Sequence, residues 1–257
     1  MNPLPLFQMG FLGALVSFFA VESSHAHGTV ENSRMLQVRL AGPAGGTPAP
    51  WTESYYTWNQ NSNNFPGYAS TGFSYADYVP DGTISSAGVN DGVQSGLNFS
   101  GLNTPSPNWA MIDVTAGATF AMKWFATAPH DPSHFDVYFT KVGFDVATEE
   151  MGWGDLDLIG RWSSDDPANL VTVGAGVNPV TGGPITTYNW NIVIPADRVG
   201  HVAAVVVWQR EDPAGEAFFS TNDFNVQAIP EPGTVGLVTC GVLLSGLGAL
   251  RSRKKRA

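Results

Sequence analysis

Val202-Ala203-Ala204-Val205-Val206-Val207-Trp208 is an unbroken apolar run, bounded by Gly200 before it and by Gln209-Arg210-Glu211-Asp212 after it. A strand with one wet face alternates apolar and polar residues, so a continuous run marks a central strand covered on both sides. Residues 135–142 alternate instead, with Phe135, Val137 and Phe139 against Asp136, Tyr138 and Thr140. Residues 188–194 place Trp190, Ile192 and Ile194 on one face, and 218–226 follow as a last strand. Upstream, 109–114 and 119–127 read as strands separated by Thr115-Ala116-Gly117-Ala118. These short runs are rich in Val, Phe, Tyr, Trp and Thr, are bounded by Gly, Pro, Asn or Asp, and show little helical period. That pattern predicts an all-β sandwich. The segment 43–103 differs: Gly, Ser, Asn, Pro and aromatic residues without periodicity, a long loop-rich insertion of the kind that usually carries function.

Both ends of the 257-residue chain read as addresses. Residues 11–21 form a short apolar run, and Ser24 and Ala26 give the small-x-small pattern of a secretory cleavage site between Ala26 and His27. At the other end stand Pro230-Glu231-Pro232, an uncharged apolar run over 235–250, and Arg251, Arg253, Lys254, Lys255 and Arg256. The run is short for a membrane span, and the cations after it fit the positive-inside rule. This order resembles the bacterial PEP-CTERM sorting signal, which implies an exosortase-type processing partner and transient anchoring by the tail. The expected organisation is therefore a signal peptide over 1–26, one domain over 27–228 and a sorting signal over 229–257. With the five tail cations and the carboxylates of Glu22 and Glu231 set aside, 27–228 keeps seven cationic and 20 anionic side chains, a net charge of −13. So acidic a domain disfavours nucleic acid and anionic membranes as partners, leaving the tail as the expected membrane contact, and it tolerates a neutral substrate. The one cysteine, Cys240, lies in the apolar tail, so the domain has no disulfide.

Cleavage after Ala26 leaves His27 with an imidazole and a free α-amine, two nitrogen donors that can chelate one metal ion. Both groups shed their protons readily to a metal near neutral pH.

Four blocks, taken in order, resemble the bacterial lytic polysaccharide monooxygenases of auxiliary activity family 10, also called family 4 chitin-binding proteins. They are His27-Gly28 with Ser33-Arg34; Val79-Pro80-Asp81-Gly82-Thr83 with Ser85-Ser86-Ala87-Gly88; Ala128-Pro129-His130 with Phe135, Tyr138, Phe139, Thr140 and Lys141; and Ile194-Pro195-Ala196-Asp197-Arg198 through Trp208, Asp212 and Glu216-Ala217-Phe218-Phe219 to Asp223. The family commonly has Cys where Ser85 stands. The resemblance implies an immunoglobulin- or fibronectin type III-like β-sandwich that is exported. It also implies copper-dependent oxidative cleavage of β-1,4-linked insoluble polysaccharide, chitin or cellulose, at C1 or C4, with an external electron donor. One copper per chain is expected on a histidine brace of His27 and His130, a T-shaped nitrogen set that suits copper better than zinc. Phe218 matches the aromatic closing one axial side, Ala128 the small residue shaping the other, and Asp212 and Glu216 the carboxylates near the metal. Glu216 two before Phe218 hints at cellulose.

In the insertion, Tyr55, Tyr56, Trp58, Asn59 and Gln60 offer flat rings and amides suited to stacking on sugars and bonding their hydroxyls. The polysaccharide surface is flat, so a flat face rather than a pocket is expected. His134 reads as a surface loop residue, because Pro132 excludes a helix joining it to His130. His201 reads as a strand-end residue. Two rivals stay open: a non-catalytic adhesion protein of the same fold, and a periplasmic copper carrier.

Overall fold

The computed structural model describes residues 28–41, 62–64, 72–88, 99–211 and 215–229. Among the described residues, apart from short 3-10 turns, ten strands and one α-helix succeed one another: β1 (Gly28–Val30), α1 (Arg34–Ala41), β2 (Ser62–Asn64), β3 (Met111–Thr115), β4 (Thr119–Ala126), β5 (Ser133–Thr140), β6 (Leu156–Ser163), β7 (Thr172–Val177), β8 (Pro184–Val193), β9 (Gly200–Arg210) and β10 (Glu216–Gln227). They form a sandwich, with a four-stranded sheet ordered β1-β4-β8-β7 facing a six-stranded sheet. The latter runs β2-β10-β9-β5-β6, and β3 also pairs with β10, in parallel.

The central run behaves as its composition requires. Every residue from Val202 to Trp208 is buried, with β9 hydrogen-bonded between β10 and β5. Its Val202, Ala204, Val206 and Trp208 enter the core between the sheets, with Trp124, Phe135, Tyr188, Trp190, Phe218 and Phe224. Its other face, Val205 and Val207, packs beside Phe219 under Tyr75, Val79, Ile84, Met151 and Leu156. Part of the insertion thus forms a third layer, and each large apolar side chain it buries contributes about 1.5–3 kcal/mol.

That layer also changes β5. Its polar face is not wet: Asp136 is buried and takes two bonds from Arg161, at 2.7 and 2.8 Å, while Thr140 Oγ1 accepts from the Ala203 N–H. The strand expected from Trp109 begins at Met111 instead, because the Trp109 indole is buried, donating to the Thr104 carbonyl beneath the Arg34 guanidinium. The helix α1 was not expected. Ser33 caps it, accepting from the Leu36 N–H at 3.2 Å, and the cap turns Arg34 inward onto Asp223. Ser85, the family's usual cysteine position, is buried and bonded to Thr221 Oγ1 at 2.8 Å.

Candidate metal centre

The site is built where β1 and β10 meet the turn between β4 and β5. Gly28 pairs opposite Ala126, Thr29 opposite Phe125 and Val30 opposite Trp124. Gly28 is obligatory there: a Cβ would stand 1.9 Å from Trp124 Nε1, 2.5 Å from its Cε2 and 2.8 Å from the Phe125 carbonyl oxygen. The second sheet holds the same segment. Ser220 of β10 contacts Thr29 Oγ1 at 2.9 Å and accepts from the Val30 N–H at 3.1 Å. The residue ahead of Gly28 therefore joins a strand pinned from two sides, at the end of β4 that leads into Ala128 and His130.

His130 sits half-buried in the β4–β5 turn, its Nε2 shielded from solvent, and its ring lies 6.2 Å from that of Trp208. The Tyr188 hydroxyl grips its backbone, accepting from the His130 N–H at 2.8 Å and donating to its carbonyl at 3.2 Å. Burial pushes the Tyr188 phenol up to about 12, the Asp131 charge adding and the His130 and Ser133 hydrogen bonds opposing, so it stays neutral.

Phe218 is fully buried on β10, opposite Trp208 in register and 5.2 Å from it ring to ring. Trp208 is thus flanked by His130 and Phe218, two of the expected site residues. Ala128 is half-buried, two residues ahead of His130. Glu216 lies two before Phe218 on β10, hence on the same strand face, with its carboxylate in close contact with Arg210. Buried Gln209 ties the start of β10 to the end of β9, donating from Nε2 to the carbonyls of Arg210, Gly215 and Glu216. His27, Asp212 and the expected sugar-binding residues Tyr55, Tyr56, Trp58, Asn59 and Gln60 lie outside the described residues, as do 1–26 and 230–257.

The remaining histidines divide. His201 is the strand-end residue expected, with Nε2 2.8 Å from Asp223 Oδ1. His134 is not a surface loop residue: β5 starts at Ser133, immediately after Pro132, and buries His134 with Nδ1 2.6 Å from Glu211 Oε1. Pro132 excluded a helix but not a strand.

A cavity of about 380 Å³ lies elsewhere, beside α1 between Leu36, Leu40, Met111, Phe125 and Pro179. Among the described residues no three His, Cys, Asp or Glu side chains gather into a metal cluster. A nitrogen set made from His130 and the two donors of His27 needs no such cluster. The close packing of Gly28 on Trp124 and the grip on His130 fit a small ion held between the two segments.

Comparison with known proteins identifies the family. The sequence profile of the family described as lytic polysaccharide mono-oxygenase, cellulose-degrading, matches residues 27–224. The chain belongs to this family. Among solved structures, the cellulose-active lytic polysaccharide monooxygenase CelS2, in complex with copper, is 28% identical, with a TM-score of 0.58 over 79% of this chain and 100% of that one. A lytic cellulose monooxygenase of Streptomyces ambofaciens is 36% identical over 148 residues, 58% of this chain and 36% of that protein. The chitin-binding protein CbpD of Pseudomonas aeruginosa is 28% identical over 228 residues, 84% of this chain and 51% of that protein. The chain thus spans about half or less of the length of these two relatives.

The sequence did not single out Tyr188, Ser220, Gln209 or the Gly28–Trp124 contact. Trp208, ending the central run, was visible, as were His130 and Phe218 through the motifs that carry them.

Proposed function

We propose that the chain is an exported copper-dependent monooxygenase that oxidatively cleaves insoluble β-1,4-linked polysaccharide, with cellulose favoured over chitin. One observation carries the reading. The residue after His27 is locked against the end of β4, four positions before a histidine whose backbone is itself clamped.

His27, through imidazole and α-amine, and His130, through imidazole, hold one copper ion. Bound there, copper supplies one-electron chemistry with an oxygen co-substrate and an external reductant. Phe218 closes one side of the site and excludes water from it. Ala128 leaves the other side open, since a longer side chain there would obstruct a small co-substrate. Glu216, held by Arg210, and Asp212 are the carboxylates available to position that co-substrate by hydrogen bonding. Tyr55, Tyr56, Trp58, Asn59 and Gln60 form the flat face that grips the polysaccharide. Maturation removes 1–26, and the tail 229–257 holds the protein at the membrane until an exosortase-type enzyme processes it, leaving it secreted or attached to extracellular material.

The test is a copper titration of protein starting at His27 against protein carrying one additional N-terminal residue. Tight one-to-one binding by the first only is expected, because an extension turns the α-amine into an amide. Equal binding by both overturns the reading. The similarity to CbpD supports a second reading, binding to chitin without turnover. Retention on chitin that survives copper removal, with no soluble products, favours it.

A further inference from the structure

We infer that Tyr188 is a positioning residue for the metal site, fixing the presentation of His130 through the backbone rather than through the imidazole. The inference rests on the reading of His130 as a copper ligand. Its ground is the chemistry of the β4–β5 turn. The segment Ala128-Pro129-His130-Asp131-Pro132 contains two prolines without N–H groups, so it has few donors with which to hold its own shape. Regular β4 has ended at Ala126, and β5 starts only at Ser133. The turn is held at its far end, where the Pro132 carbonyl accepts from the Glu211 N–H at 3.0 Å and Asp131 accepts from Ser164 Oγ at 3.1 Å.

At His130 itself the hold comes from the Tyr188 hydroxyl. Tyr188 Oη accepts from the His130 N–H at 2.8 Å and donates to the His130 carbonyl at 3.2 Å. It thus holds both peptide groups bordering the His130 Cα, which sets the direction in which the side chain leaves the backbone. The phenol can serve as clamp because it cannot move. Tyr188 is 1% exposed on β8, paired to Trp124 and Val173 on either side, with its ring 5.3 Å from Phe135 and 5.4 Å from Trp208. The Trp208 indole N–H donates to Ser133 Oγ at 2.9 Å, and the Trp208 ring lies against those of Tyr188, His130 and Phe218. Ring packing thus joins the floor of the site to the phenol that holds the backbone of its ligand. A histidine side chain so directed keeps its donor nitrogen aimed before the metal arrives, and a ligand preset in this way binds more tightly.

The test is Tyr188→Phe in the mature protein beginning at His27, read three ways. In the metal-free protein, amide hydrogen exchange at His130 should lose its protection while β4, β8 and β9 keep theirs. With copper, affinity should fall about 10-fold, the lower end of the cost of removing a ligand's supporting partner. The Cu(II) electron paramagnetic resonance spectrum should shift or broaden as His130 samples several orientations. An unchanged spectrum, affinity and His130 protection overturn the inference. His130→Ala in the same titration separates the two claims. If it retains tight copper binding, the ligand assignment fails. If it loses copper while Tyr188→Phe behaves as the parent, only the clamp fails. Should Tyr188→Phe not fold, hydrogen exchange of the metal-free parent carries the test: protection of the His130 amide comparable to that of β4 supports the clamp, and exchange at the rate of an exposed amide overturns it.

Discussion

Replacing Gly28 with Ala tests the packing that places the N-terminal strand. The added methyl would fall 1.9 Å from Trp124 Nε1 and 2.8 Å from the Phe125 carbonyl oxygen, both inside van der Waals contact. Neither neighbour can yield cheaply. The Trp124 ring is fully buried, 5.7 Å from the rings of both Phe135 and Trp208, and Phe125 O belongs to the backbone of β4. Overpacking of this kind costs about 1–3 kcal/mol. The least expensive relief is for Gly28 to lift away from Ala126, since β1 has only three paired residues and Ser220 still holds Thr29 and Val30. In the proposed copper site, strain taken up in this way displaces the ligand that precedes Gly28. Copper affinity then falls by the same energy, about 5- to 150-fold. The assay pairs urea unfolding of the metal-free protein with a copper titration. A stability loss of about 1–3 kcal/mol and a weakened copper site are expected together. A variant that matches the parent in both refutes the assignment of Gly28 as the residue that seats the site.

Two further predictions concern the scaffold. Asp223 is fully buried between Arg34, at 2.7 and 2.8 Å, and His201 at 2.8 Å. Burial raises its carboxyl, but the Arg34 charge and the hydrogen bonds from Arg34 and His201 outweigh this and hold it below the usual range. A carboxyl depressed on folding contributes stability that is complete above its unfolded value near ~4 and is lost as pH falls through the native one. Asp223→Asn should cost about 3–5 kcal/mol at neutral pH, leaving Arg34 buried without its counter-ion, and the gap to the parent should narrow on acidification. A gap under about 1 kcal/mol in urea unfolding, or one independent of pH, contradicts this. Ser85→Cys with Thr221→Cys should form a disulfide where the hydroxyls now meet at 2.8 Å, closing a separation of 136 residues. The gain should reach up to about 5 kcal/mol, seen as a higher melting temperature that reductant abolishes. Free thiols in the oxidised protein would contradict it.

The β-sandwich was legible because its largest signal is local. The run 202–208 announces a strand covered twice, and 188–194 shows its buried face by alternation. What covers the second face was not legible. Tyr75, Val79 and Ile84 belong to short turns without period, whose burial is decided by β9 and β10 rather than by their own sequence. β7 escaped for the opposite reason: Gly174 and Gly176 weaken its strand pattern, yet a Cβ at Gly176 would stand 2.6 Å from Thr187 Cγ2. Of the site, His130 and Phe218 could be named from the motif that carries them. The Tyr188 clamp could not, since it joins residues 58 positions apart and leaves no periodic trace in either segment.

The most direct test of the proposed activity is mass spectrometry of the soluble products released from cellulose and from chitin. The mature protein beginning at His27 is incubated with copper and a reductant, beside His130→Ala. Oligosaccharides heavier by one oxygen atom than their hydrolytic counterparts, formed by the parent and absent from His130→Ala, are the expected result. Products of unoxidised mass, or none from either polysaccharide while copper is demonstrably bound, would contradict it.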